Sequence, residues 1–154
     1  MKKEIEEILE KLRKKFNNDE VESLGYNRFV IREPYEVKAK GGMIILYKDK
    51  MADEQGILIP LQNEYNSIFN FTAGVAVVCL RKNIKIEGGR FTQDRRDGLI
   101  DINGKELLPC IYDSIHVHID SFIEITKDGQ KKDTNVGFIT SGKFNWDKAN
   151  NLDC

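Results

Sequence analysis

The chain is 154 residues long, enough for one domain that buries about two-thirds of the surface its unfolded form exposes, so neither metal nor disulfides are needed to hold it together. Charged residues make up 32% and hydrophobic ones 40%, which excludes a disordered chain. A net charge of −1 gives no bulk attraction to nucleic acid or to an acidic membrane, so electrostatic recognition has to come from a local patch.

From the N-terminus, Ile5, Ile8, Leu9, Leu12 and Phe16 recur at helical spacing, and Glu7/Lys11 and Glu10/Lys14 place the acid four residues before the base, the favourable order on a helix surface. The spacing predicts an amphipathic helix over 2–17, ended by Asn17-Asn18-Asp19. Met1-Lys2-Lys3 leads into this charged pattern, and the longest apolar run, 75–80, is far too short to span a bilayer. Cys79, Cys110 and Cys154 are an odd number at wide spacing without a Cys-x-x-Cys pair, which fits neither a disulfide framework nor a zinc site. Together these features predict a cytoplasmic protein with no signal peptide and no membrane association.

Beyond residue 25 the pattern is strand and turn, with predicted strands at 28–32, 43–47, 57–59, 75–80, 99–102, 106–108, 115–119, 122–126 and 136–140. The chain also repeats at an offset of 47 residues, Tyr65-Asn66-Ser67-Ile68 returning as Tyr112-Asp113-Ser114-Ile115. Such a period means a supersecondary unit too small to bury its own apolar face, stacked on copies of itself. Aligning strands that open at 42, 74 and 121, each followed by a polar insert and a second strand opening at Gly56, Gly98 and Gly137, predicts about three tandem antiparallel hairpin units. Asn103-Gly104 reads as a type I′ hairpin turn, and Pro109 and Pro60 as the points where pairing ends. The fold expected is therefore mainly β, a single domain over 1–154. The helix over 2–17 caps the stack, followed by a degenerate repeat over 26–64, repeats over 65–111 and 112–146, and a polar tail over 147–154.

The run Gly98-Leu99-Ile100-Asp101-Ile102-Asn103-Gly104-Lys105, continuing through Pro109 to Tyr112-Asp113-Ser114-Ile115, resembles the bacterial WG repeat. The likeness is close over 98–115, partial over 56–83 and 137–146, and absent from the first 40 residues. It departs from the family where Gln55, Asp97 and Val136 stand in place of the tryptophan before the glycine. The resemblance implies a β-rich repeat scaffold and brings no catalytic residues or cofactor with it.

Two clusters invite chemistry. His116 and His118 share one face of a strand, with Asp120 and Glu124 on the same side, as a metal site would need; but the repeat places Phe69 and Phe71 at the equivalent positions, which favours an aromatic packing role over a metal. Cys110 precedes His116 by six residues, yet no oxyanion-donor loop accompanies it, and nucleophile-elbow, zincin and phosphate-loop motifs are absent, so no enzyme is expected.

The insert of the second unit is the stronger signal. Leu80 and Gly98 are separated by 17 residues, in which Ile84, Ile86 and Phe91 alternate around Gly88-Gly89, the pattern of an extended hairpin. Counting outward from that turn places Cys79 opposite Gly98, Lys82 opposite Arg95 and Arg81 opposite Arg96. Opposed like charges repel, and either Asp94 and Asp97 relieve them diagonally or an anion or acidic partner surface does. A binding patch of Arg81, Lys82, Arg90, Phe91, Arg95 and Arg96 follows, set against a solvated lattice of charges. The function expected is a non-enzymatic module that binds another protein with an acidic surface, of the toxin or effector kind. The alternative is nucleic acid or another anionic ligand held by the basic 81–96 hairpin, with Phe91 stacking on a base.

Overall fold

The computed structural model describes residues 2–39 and 41–148, so Cys154 and most of the expected polar tail lie outside the described residues. Helix α1 (Lys2–Phe16) is followed by three antiparallel sheets taken in strict chain order. Sheet 1 holds β1 (Val21–Gly25), β2 (Arg28–Ala39), β3 (Gly42–Asp53) and β4 (Leu58–Ile59). Sheet 2 repeats the plan with β5 (Ser67–Ile68), β6 (Val75–Glu87), β7 (Arg90–Asp101) and β8 (Glu106–Tyr112). Sheet 3 has β9 (Ser114–Val117), β10 (Phe122–Lys127) and β11 (Gln130–Asn135), and a one-turn helix, α2 (Val136–Thr140), stands where the fourth strand would be. The chain is thus a three-unit β stack, each unit a short strand, a hairpin and a return element, and it does not close into a barrel. No described helix is long and apolar enough to cross a membrane.

The apolar runs are continuous in the middle unit because sheet 2 is covered on both faces. Alternate residues point to opposite sides of a strand, so Ala76, Val78 and Ile100 join Leu24, Val30 and Met51 of sheet 1 in one core. Their neighbours Val75 and Leu99 join Ile115, Ile123 and Ile125 of sheet 3 in another. Sheet 1 turns its remaining face, Val21, Phe29, Ile31 and Ala52, to Leu9 and Leu12 of α1.

The helix replaces a sheet. A Cβ on Gly104 of sheet 2 would meet the Pro60 carbonyl and Leu61 of the preceding unit, whereas on the equivalent Gly56 of sheet 1 it would meet Leu12 and Lys15 of α1. Lys15 Nζ also donates to the Gly56 carbonyl at 2.9 Å. At the other end, the residues of β10 equivalent to Val77 and Cys79 are Glu124 and Thr126, which pair with Asp133 and Lys131 on one side and with His116 and Ser114 on the other. A face of this composition is stable against water, as the last sheet of a stack has to be.

Four expectations are corrected. Residues 42–47 are not the first strand of the unit's hairpin but part of its second, β3; β2 is the first, disguised by Glu33, Pro34, Glu36 and Lys38 on an arm that leaves the core. Residues 136–140 form α2 and not a strand, because the Asn135 side chain accepts the Phe138 N–H at 2.8 Å and caps a helical turn. Asn103-Gly104 is not a type I′ turn: Gly104 alone has positive φ (80°), and Asp101 Oδ1 takes the N–H groups of Asn103 and Lys105, the same arrangement that Asp53 makes around Gly56. Pro109 lies inside β8, in a bulge where its missing N–H costs nothing.

The predicted hairpin around Gly88-Gly89 is present, with both glycines at positive φ (56° and 75°) and Glu87 opposite Arg90. Its register changes further down. Asn83 and Ile84 together oppose Gln93, a bulge that Asn83 permits by adopting φ 52° and donating from Nδ2 to Asp94 Oδ2 at 2.7 Å. The extra residue puts Arg81 opposite Arg95, Lys82 opposite Asp94, Leu80 opposite Arg96 and Val78 opposite Gly98, so one of the two expected like-charge pairs disappears and the other takes a new partner.

Candidate functional site at the base of the hairpin arms

The hairpins β2–β3 and β6–β7 outrun their flanking strands, since β1 pairs β2 only to Ile31 and β5 pairs β6 only at Val78 and Cys79. Beyond those points each is a two-stranded arm. The arms meet near their tips, where a Cβ on Gly41 would fall 2.1 Å from the Ile86 carbonyl oxygen. They are tied at the base by Asn66, which is buried. Its amide donates to Tyr35 Oη and to the Tyr47 carbonyl, both at 3.0 Å, and its Oδ1 accepts the Arg81 N–H at 2.8 Å. Every polar atom of this side chain is therefore used to hold one arm to the other.

Beside Asn66 opens a cavity of about 510 Å³, walled by Arg32, Arg81, Arg95, Tyr47, Phe69 and Ser67, with Glu20 on its lining. Two of its guanidinium groups are anchored. Arg32 forks onto Asp49 (Nε to Oδ1 3.0 Å, Nη2 to Oδ2 3.2 Å), and Arg95 Nε meets Asp97 Oδ1 at 3.0 Å while the guanidinium lies over the Phe69 ring at 5.2 Å. Both aspartates are buried and also accept a backbone N–H from the next unit, Asp49 from Ile68 at 2.9 Å and Asp97 from Ile115 at 3.3 Å. Burial outweighs the arginines, and both carboxyls are held above the ordinary carboxylate range. Arg81 is different. It faces Arg95 in the ladder, makes no ion pair among the described residues, and its Nε is buried without a hydrogen-bond partner.

The six residues singled out in the sequence do not share one patch. Arg81 and Arg95 come together at the cavity; Lys82 opposes Asp94; Arg96 donates from Nη1 to Asp113 Oδ1 at 3.0 Å; Arg90 and Phe91 are exposed at the arm's tip. Sequence reasoning missed Arg32 and Tyr47, which come from the strands of sheet 1, and Asn66 and Phe69, which flank β5. One signal was on view, since Asn66 is the second residue of the repeated Tyr-Asn-Ser-Ile segment, at the place of Asp113.

His116 and His118 do lie together, with ring centroids 4.4 Å apart, and His118 Nε2 is 3.2 Å from Glu124 Oε1. Glu124 is also held by Lys131 at 3.1 Å, and that hydrogen bond, ahead of the one to His118, keeps its carboxyl below the usual range. Among the described residues no group of three His, Cys, Asp or Glu is placed to hold a metal ion. Cys79 is buried, and burial pushes the Cys110 thiol up to about 12, far from the thiolate a nucleophile needs. A Cys154→Ala protein is accordingly expected to react with a thiol-exchange disulfide reagent at pH 8 at least about tenfold more slowly when folded than when unfolded, the loss of thiolate being offset in part by its greater nucleophilicity. Rapid labelling of the native form would contradict this placement of the two thiols.

A close backbone approach lies where β8 wraps β7. A Cβ on Gly98 would sit 2.7 Å from the Leu108 carbonyl oxygen and 2.8 Å from Cys110 Sγ, so only glycine fits, and it does so at an ordinary φ. Asp101, Gly104 and Tyr112 follow at the turn and the crossing. Residues 98–129 match the family model of the WG containing repeat. No curated protein and no solved structure matches the chain. The WG repeat begins at the end of β7 and finishes at the Asp128-Gly129 turn after β10, so its sequence frame straddles sheets 2 and 3. Its glycine is what lets β8 close on β7, and its Tyr112 carries the chain from one sheet into the next, packing in the core between them and against Trp146 at 5.7 Å.

Proposed function

We propose that this chain is a non-enzymatic protein-binding module in which the WG-type β stack is the scaffold and the paired arms with the cavity at their base are the contact surface. The observation that carries it is the cavity wall. Arginines of two sheets converge there beside Tyr47 and Phe69, which are 43% and 40% exposed, on arms that Asn66 holds in a fixed relation. Exposed aromatics and arginine on a preorganised surface are the residue types that dominate protein interfaces. A partner with an acidic surface fits this lining, a toxin or effector among the kinds it would suit. The free thiols of Cys79 and Cys110 favour a reducing cytoplasm.

The test is capture of partners from the native lysate with wild type and with a Tyr47→Ala, Phe69→Ala, Arg81→Ala triple variant whose fold is checked by circular dichroism. Loss of specific partners is expected; retention of all of them disposes of the surface. A second reading, nucleic acid on the arm, is favoured by Arg90 and Phe91 standing exposed at its tip. It requires affinity for single-stranded DNA or RNA that falls steeply with salt. It is the weaker one because Arg95 and Arg96 already have carboxylate partners.

A further inference from the structure

We infer that the cavity is an anchor pocket for a single side-chain carboxylate, an Asp or Glu in an acidic segment of the partner, and that Arg81 is the group that receives it. This rests on the reading of the chain as a protein-binding module. Three observations carry it. Arg81 and Arg95 oppose each other directly in the ladder, an arrangement that repels until an anion lies between or beside them. Arg32 and Arg95 are already balanced by Asp49 and Asp97, so they form charged but neutralised walls, whereas Arg81 has no carboxylate among the described residues and buries an Nε with no partner. Buried donors of folded proteins are rarely left unpaired, and of the three arginines on the cavity wall Arg81 is the one with no carboxylate among the described residues.

The pocket is also built in advance. The Arg81 backbone N–H is fixed to Asn66, so the guanidinium starts from a held Cα, and an Arg fork matches the two oxygens of a carboxylate. Glu20 on the lining repels a second negative charge, which favours one carboxylate over a diphosphate or a phosphodiester backbone. A nucleic acid strand would want a row of unpaired cations, and the neighbours Lys82 and Arg96 already face Asp94 and Asp113.

The experiment uses the full chain and a fluorescein-labelled, end-capped octapeptide of alternating Glu and Tyr. A Gln-for-Glu version is the neutral control, and inorganic phosphate and an oligothymidylate are the competing anions. Binding is read by anisotropy and by the side-chain Nε–H signals of the arginines in nitrogen-15 spectra. The acidic peptide is expected to bind and to shift the Arg81 signal, the Gln peptide to fail, and Arg81→Gln to weaken binding by about tenfold or more, the worth of one charge-assisted hydrogen bond. Arg81→Lys, which keeps the charge without the fork, is expected to fall between, and Arg90→Gln at the tip to have no effect. An Arg81→Gln protein that melts with the wild type yet binds the acidic peptide equally well overturns the inference. So does tighter Arg81-dependent binding of phosphate or of the oligothymidylate. If lysate partners are lost in the triple variant while the peptide ignores Arg81→Gln, the carboxylate anchor falls and the module stands. If the peptide depends on Arg81 while every partner survives the triple variant, the pocket stands as an anion site and the module falls.

Discussion

Asp97→Ala is expected to lower unfolding stability by about 2 kcal/mol, the scale for leaving a buried N–H without its acceptor and losing one charge-assisted hydrogen bond. The residue is 3% exposed and ties two strands, since on β7 it accepts from Arg95 Nε at 3.0 Å and from β9 it accepts the Ile115 N–H at 3.3 Å. Alanine would leave a buried N–H and a guanidinium without their acceptor. Asp49 makes the same tie one unit earlier, to Ile68, so Asp49→Ala is expected to behave alike and to loosen sheet 1 from sheet 2. Urea unfolding measures both, and a loss under about 1 kcal/mol for either would show that the carboxylate is not what couples the sheets.

The pH dependence has a definite sign. The Asp97 carboxyl is held above the ordinary carboxylate range, chiefly by burial, so it binds its proton more tightly in the folded chain than in the unfolded one. That contribution is complete below the unfolded value and is lost as pH rises through the higher folded one. Wild type therefore gains stability from this group on acidification, and Asp97→Ala does not. The deficit of the variant is expected to be larger at pH 3 than at pH 7. A deficit that shrinks toward acid would mean the carboxyl is held below its usual range instead.

Gly98→Val is expected to lower stability by about 3 kcal/mol or more, because the new side chain must displace backbone. The Leu108 carbonyl and the Cys110 N–H lie 2.7 and 3.0 Å from where its Cβ would be, and neither can swing away as a flexible side chain could. Gly74 provides the contrast. It has φ 82° with nothing within 4 Å, so Gly74→Ala meets no atoms and pays only for the left-handed backbone, about 1 kcal/mol. Equal losses at the two positions would show that conformation, and not space, sets the requirement at Gly98.

Much of the scaffold was legible residue by residue. Helix α1 was announced by the spacing of Leu9 and Leu12, the Gly88-Gly89 turn by two residues able to hold positive φ, and the stacking by the recurrence of Tyr65 and Tyr112. What was misread was misread for a local reason. β2 leaves the core after Ile31 and so loses its alternation, and Gly137-Phe138-Ile139 is as apolar as a strand but is turned into a helix by the Asn135 cap. The site was partly visible. Arg81 and Arg95 were in view as cations of one hairpin, whereas Arg32 and Tyr47 of sheet 1 and Phe69 just after β5 lie outside that hairpin and only stacking brings them to the same cavity.

By itself the sequence determined the plan of this protein, a capped stack of β units with a basic arm, because periodicity and turn chemistry act between near neighbours and need no knowledge of the rest of the chain. Only the tertiary structure decided which charges meet. One extra residue at Asn83 moves every pair below it by a step, joins Arg81 to Arg95 and leaves Arg81 without a carboxylate. Register between strands is a property of the pairing, and a bulge that changes it is set by the hydrogen bonds of the whole ladder.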